Sequence, residues 1–414
     1  MNKKAIKKLL SFVKLLKAPA KMMPYIIALV IGIVRRITDE DAAALIDLKE
    51  QGFVCRKSEQ IVGGCGSPAV AVCSNGSIAV AFACTRVKEK ALVSSICLMR
   101  SADPKQIATA GKRFVITSPL QIGNVTLTQT PQGLLLGWRT RSNAYLHYPS
   151  RLEKPVFNTL KSNNTALTML LSEKEKQGGM HYALIPDNGE EIKEAYEAPA
   201  LFSQSAAVLS GGEVLWLGVK DGKALAYRTQ DVCKGFSLVG NVPEIETGRT
   251  YSHAGCAKLK NGRVLAVLCS SGELFASYSD DMGTRWTVPK PLDINGTAPS
   301  LAVREDGVVS LSFVEPDKKF AIRSSINKDG ESEWCKVRLL VSSVGDNSRR
   351  PYTVAVGDSF CTVSRIRFCG EKESSVLYTG WKPLKEDYDP VLEAQLAKES
   401  KKKKRGRKNK DAVQ

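Results

Sequence analysis

Two short stretches put guanidinium and phenol groups side by side, Arg249-Thr250-Tyr251 and Arg349-Arg350-Pro351-Tyr352. A guanidinium fork matches a carboxylate through two parallel hydrogen bonds. Arg249, Arg349 and Arg350 are therefore candidate anion-binding residues, with Tyr251 beside the first. The other reading of each group is a solvated loop pair. Metal chemistry is not expected, because there are only three histidines and the eleven cysteines form no CxxC pair. No cofactor is expected either. Cys73, Cys84, Cys97 and Cys269 sit inside apolar runs, and such cysteines are expected as buried, reduced thiols.

The elements that must hold these residues are short and β-rich. From Phe53 onward the chain repeats an apolar strand, a Gly turn, a second apolar strand and a third strand ending in a Ser/Thr/Asp turn. Pro68–Cys73, Asn75-Gly76 and Ile78–Phe82 open the first unit. Others start near Asn124, Ser205, His253, Pro299 and Pro351, with a weaker one near Thr165. The spacing is roughly 40 to 55 residues, which predicts an all-β propeller. Six blades are expected, or seven if the unit near Thr165 counts. Arg249, Tyr251, Arg349, Arg350 and Tyr352 all open inner strands in this register, where side chains can face the central channel.

One turn is sharply defined. Ser279-Asp280-Asp281-Met282-Gly283-Thr284-Arg285-Trp286 fits Ser-x-Asp-x-Gly-x-x-Trp, the Asp-box. Ser279 and Asp281 can hydrogen-bond their own turn backbone, Gly283 can take a positive φ, and Trp286 returns the chain to an apolar layer. Its role is structural. Thr229–Phe236, Ser101-Ala102-Asp103 and Ser325–Gly330 before Trp334 are degenerate versions.

Residues 1–52 and 384–414 lie outside the repeats. The net charge of +18 is concentrated there: no acid precedes Asp39, and 401–410 is almost wholly basic. Ile6, Leu9, Leu10, Val13 and Leu16 at helical spacing, among lysines, describe a basic amphipathic helix suited to an anionic membrane surface. The apolar run 22–34 is shorter than the ~20 residues of a spanning helix. Residues 1–52 are thus expected as a helical, membrane-associating extension, with secretion through a signal peptide as the alternative. Its last helix is expected to run from Thr38 to about Gln51, stopped by Gly52. Residues 384–414 are expected as a short helix and a basic tail. Nucleic acid is not expected as a partner, except through that tail. Asn75, Asn124, Asn163 and Asn295 fit the glycosylation pattern, although two of them are simply Asn-Gly turns.

Asp-boxes on such blades resemble the sialidase (neuraminidase) superfamily of propellers, over about residues 53–383. The likeness is clearest in 261–314, and Ala81-Phe82-Ala83 followed by Arg86 resembles the family's first-blade Ala-Phe-Ala-Glu-Ala-Arg. The resemblance implies three arginines on a sialic acid carboxylate, a Tyr nucleophile assisted by Glu, and an Asp acid/base. The sequence departs from that set. Gly66 stands where the family's first arginine opens blade one, Cys84 where its Glu follows Ala-Phe-Ala, and Thr85–Ser94 holds no Asp, only Glu89. The nucleophile is Ala298 if Thr297–Ala302 is the matching stretch, or Tyr352 beside Arg349 and Arg350 if the last blade is. The resemblance implies a propeller that binds a glycan or anionic sugar, or a protein, and has lost standard catalysis. The alternatives are a diverged exo-sialidase using Arg249, Arg349, Arg350 and Tyr352, and a membrane-tethered protein-binding scaffold.

Overall fold

The computed structural model describes residues 51–383, apart from 56–60, 62–63, most of 142–177, much of 188–193, 316–320, 342–348, 368–373 and a few single positions. The expected N-terminal helices and basic tail lie outside these residues. Among the described residues no helix is long and apolar enough to cross a membrane.

Strand β1 (Gln51–Cys55) comes first in the chain and last in the ring. Blade 1 is β2 (Gly66–Val72), β3 (Ile78–Lys88), β4 (Ala91–Ser101) and β5 (Arg113–Ser118). Blade 2 is β6 (Gln121–Thr130), β7 (Gly133–Arg141), β8 (Met180–Ile185) and β9 (Tyr196–Glu197). Blade 3 has a broken inner strand, β10 (Leu201–Phe202) and β11 (Ala207–Val208), then β12 (Val214–Lys220), β13 (Lys223–Thr229) and β14 (Ser237–Asn241). Blade 4 is β15 (His253–Lys258), β16 (Val264–Ser270), β17 (Glu273–Ser279) and β18 (Lys290–Asn295). Blade 5 is β19 (Thr297–Val303), β20 (Val309–Val314), β21 (Ile322–Asn327) and β22 (Arg338–Val341). Blade 6 is β23 (Arg349–Val356), β24 (Ser359–Ile366) and β25 (Ser375–Trp381), completed by β1 in the order β1-β25-β24-β23.

The propeller therefore has six blades, not seven. The weak unit near Thr165 lies outside the described residues, and β8, which follows it, is the third strand of blade 2. Gln51 and Gly52 end no helix. They pair with Thr379 and Tyr378 as part of the closing strand, which gives β25 the partner it would otherwise lack.

The blades bury their faces against one another. The second strands of blades 1 and 4 begin as or form near-continuous apolar runs, while those of blades 5 and 6 place Ser and Thr among the apolar residues. Every residue of β16 is buried, as is every residue of β20. The inner strands are also linked to each other across the ring. Ser67 Oγ accepts from Asn124 N at 3.1 Å, Thr128 Oγ1 from Ala206 N at 3.1 Å, and Ser300 Oγ from Thr353 N at 2.9 Å. Hydroxyls of one blade thus satisfy the edge N–H groups of the next, which would otherwise be lost to pairing.

The turns between third and fourth strands hold the blades from outside. Asp281 Oδ1 accepts from Ser279 Oγ at 2.9 Å and from Arg285 N at 2.7 Å, and Gly283 N donates to Ser279 Oγ at 2.8 Å. These bonds, led by the Arg285 N–H, push the Asp281 carboxyl down to about 2. Gly283 has φ +90°, and a Cβ there would lie 2.6 Å from Leu215 Cδ1. Trp286 Nε1 closes the turn on Gly283 O at 2.9 Å, and its ring packs among the apolar residues shared by blades 3 and 4. Asp103 and Asp231 accept from the N–H two residues on, at 2.9 and 3.0 Å. In blade 5 the turn starts two residues later than its sequence suggests, at Asn327: Gly330 N donates to Asn327 Oδ1 at 2.7 Å, and Ser332 N to Asp329 Oδ1 at 2.8 Å.

Blade 3 meets this turn backbone to backbone at Gly240. A Cβ at that position would lie 2.4 Å from both Gly283 O and Thr284 O. Carbonyl oxygens cannot swing aside as a side chain can. Gly240→Ala is expected to destabilise the protein by about 1–3 kcal/mol. Urea unfolding should show a lower midpoint at an unchanged slope, and an unchanged midpoint would contradict this packing.

Candidate functional site

Four inner strands begin with the same irregularity. The ladder shifts between Gly66 and Ala69, Gly123 and Thr126, Thr297 and Ser300, and Arg349 and Tyr352. At each shift one non-glycine residue takes a left-handed φ: Ser67 47°, Asn124 51°, Ala298 52° and Arg350 58°. Such backbone strain often marks function. Here it recurs in four blades and belongs to the bulge, which re-aims a side chain at the rim of the ring.

The four re-aimed residues, joined by Gln204 of blade 3 and His253 of blade 4, meet at one end of the channel. Ser67, Asn124, Gln204, His253, Ala298 and Arg350, one from each blade, line a cavity of about 40 Å³. Arg350 Nη1 donates to Asn124 Oδ1. His253 Nδ1 lies 3.2 Å from Ser252 Oγ. Burial, and then the nearby Arg350 guanidinium, hold the His253 imidazole down at about 4, so the ring is neutral at pH 7. Gln204 Oε1 and Thr126 Oγ1, both on the cavity wall, are buried without a hydrogen-bond partner among the described residues. The mouth offers a guanidinium, a neutral imidazole, amides and hydroxyls. Its described lining contains no Asp, Glu or Tyr. A carboxylate is the group this set fits, since it accepts from Arg350 and from amide and hydroxyl donors together.

Of the residues expected to face the channel, the structure places Arg350 in the mouth. Arg349 opens β23 opposite Arg365. Tyr352, the candidate nucleophile, lies two residues beyond Arg350. Its hydroxyl donates to Leu127 O and accepts from Leu127 N at 3.1 Å, joining the inner strands of blades 6 and 2. Burial pushes the phenol well above its usual value. It faces a second, larger chamber of about 350 Å³ lined mainly by Val, Ala and Leu from the inner strands. The buried phenol, which gives and takes a hydrogen bond with the Leu127 backbone, does not line the mouth. The alternative position, Ala298, does reach the mouth but carries no hydroxyl.

Arg249 and Tyr251 turn away from the channel. Arg249 stacks over Phe275, pairs with Glu273 and donates to Ser270 Oγ at 3.2 Å. Tyr251 is buried, with its hydroxyl on Pro243 O at 2.6 Å, and burial raises it to about 12. Both are structural contacts of blades 3 and 4. Gly66 leaves a space that Arg365 of blade 6 fills: a Cβ at 66 would lie 3.4 Å from Arg365 Cδ. Asn124 is buried in the mouth, which rules out its use as a glycosylation acceptor in the folded protein. Spacing gave no sign of His253, Gln204 or Arg365, because each takes its role from the neighbouring blade.

The His253 environment has a consequence for acid stability. Its folded value of about 4 lies below the ~6.5 of an unfolded histidine. Its contribution is therefore complete above about pH 6.5 and is lost as pH falls toward 4, because the unfolded chain takes the proton first. The melting temperature of His253→Gln is expected to fall less steeply than wild type between pH 6.5 and 4. Equal slopes would contradict the half-buried, neutral ring.

No family model matches the chain, and no curated protein sequence matches it. Solved structures do. A protein of unknown function from Dyadobacter fermentans superimposes with a TM-score of 0.63 at 15% identity, over 81% of this chain and 98% of that one. The Hadza microbial sialidase Hz136 gives 0.55 at 12% identity, over 78% of this chain and 68% of that one. The intramolecular trans-sialidase from Ruminococcus gnavus gives 0.54 at 10% identity, over 78% and 97%. The fold is a sialidase-like propeller. At these identities the likeness extends to the fold alone. The mouth just described has one described arginine on its wall.

Proposed function

We propose that this sialidase-like propeller binds the carboxylate of an anionic sugar, of the sialic acid type, at the channel mouth and does not turn it over at an ordinary rate. The observation that carries the reading is the composition of the mouth: Arg350 and His253 with amides and hydroxyls, and no carboxylate or phenol among the described lining residues. In this reading the carboxylate enters the cavity of about 40 Å³. The ring of the sugar would then rest above it.

Glycoside cleavage needs a nucleophile and an acid to protonate the leaving oxygen. Tyr352 is engaged elsewhere, Cys84 stands in place of the family Glu, and the Thr85–Ser94 loop has no Asp. General acid–base help alone is worth ~10²–10⁴-fold. The test is purified protein with a sialoside, followed for binding and for release of the sugar. Saturable binding without release supports the reading, and robust release would show a catalytic set outside the described mouth.

A further inference from the structure

A pair of thiols beneath the closing strand takes no part in the mouth. Cys55 ends β1, and Cys65 directly precedes β2. Their sulfurs are 3.3 Å apart, with Cys65 Sγ donating to Cys55 Sγ. Both residues are buried. Cys65 is fixed in place: its N–H donates to Ser374 O at 2.8 Å, and its own carbonyl accepts from Ser374 Oγ at 2.6 Å. The hydrogen bond from Cys65, and more weakly the charge of Lys112, hold the Cys55 thiol below its usual value. Cys65 keeps its proton because it supplies that bond. The neighbouring Cys84 and Cys97 thiols are pushed up by burial, the latter to about 12. Of these thiols Cys55 is the one whose value is lowered, and it has a second sulfur already in contact at 3.3 Å.

We propose that Cys55 and Cys65 are a reversible thiol–disulfide pair that locks the strand closing the ring. Strand β1 has five residues, pairs among the described strands only with β25, and carries an irregularity between Phe53 and Cys55. Short edge strands of this kind open locally at a small fraction of the global unfolding free energy. In the opened state the Cys55 thiolate attacks one sulfur of a small disulfide such as oxidised glutathione. That S–S bond breaks, and one glutathione thiolate leaves. Cys65 then loses its proton, and its sulfur attacks the Cys55 sulfur and expels the second glutathione thiolate. Two protein thiols are oxidised, one oxidised glutathione is reduced, and the two protons end on the two glutathiones. When β1 closes again, the linked sulfurs return to a site where they were already in contact. Excess thiol reverses each step.

The test uses the full chain incubated with oxidised glutathione, alkylated and digested with trypsin without reduction. Arg56 and Lys57 lie between the two cysteines, so the link joins two peptides. The expected result is a linked species that is lost in Cys55→Ser and in Cys65→Ser and is kept in Cys84→Ser. In Cys65→Ser, glutathione should remain on Cys55. The oxidised wild type should melt above the reduced form, and dithiothreitol should restore the lower transition. Absence of the linked species at saturating oxidant, or a link that persists in Cys65→Ser, would overturn the proposal.

Discussion

Arg350→Ala is expected to weaken binding of a sialoside about 10- to 150-fold, the equivalent of the ~1.5–3 kcal/mol carried by hydrogen bonds to a charged group. Arg350 is the only described arginine on the wall of the mouth. Its guanidinium already lies against Asn124, so it needs little reorganisation to meet a carboxylate. The substitution should spare the fold. Alanine at φ 58° meets the same backbone cost as arginine, and Ala298 already occupies the equivalent bulge in blade 5. Tyr352→Phe is the matched contrast. It removes the hydroxyl that bridges to Leu127 and should lower stability, yet leave the affinity of the mouth unchanged. If Tyr352→Phe weakened binding as strongly as Arg350→Ala, the division between mouth and lower chamber would be wrong. Isothermal titration of the two variants beside wild type makes the comparison.

Trp286→Ala is expected to cost about 3–5 kcal/mol of stability, the range for truncating a buried aromatic. Trp286 is 8% exposed. It packs in the apolar layer between blades 3 and 4 and closes its own turn on Gly283 O. Losing it removes area from two blades and frees the turn that Gly240 abuts. Against a total stability of roughly 5–15 kcal/mol for a typical domain, that is a large fraction. Trp286→Phe should recover most of the loss, because it keeps the ring and gives up the indole N–H bond. A urea midpoint within error of wild type for Trp286→Ala would mean that the turn is ornamental.

The fold was legible because the signal is periodic. Apolar runs such as 78–83 and 264–269, followed or preceded by Gly turns, recur at blade spacing, the pattern of a propeller. The site was legible only to the level of the stretch. Arg349, Arg350 and Tyr352 read alike in sequence, but the ladder shift between Arg349 and Tyr352 decides which of them meets the mouth. A displacement of one residue in a strand changes the face on which a side chain emerges. Arg350 gains the mouth by this bulge, and Tyr352 is sent into the chamber below. Arg249-Thr250-Tyr251 carried the same residue types. There the loop before β15 turns outward, toward Glu273, Phe275 and Pro243. His253, which does face the mouth, looked like an ordinary strand residue. Gln51 and Gly52 looked like a helix end because local capping rules do not register that β25, more than three hundred residues later, lacks a partner.

Titration calorimetry of the purified protein with sialyllactose tests the central claim most directly, because one trace reports both binding and turnover. The account predicts saturable heat at each injection, greatly reduced in Arg350→Ala, with the baseline returning to zero after every injection. A steady heat of hydrolysis that grows with added ligand, or no saturable heat at all, would contradict a mouth built to hold an anionic sugar without cleaving it.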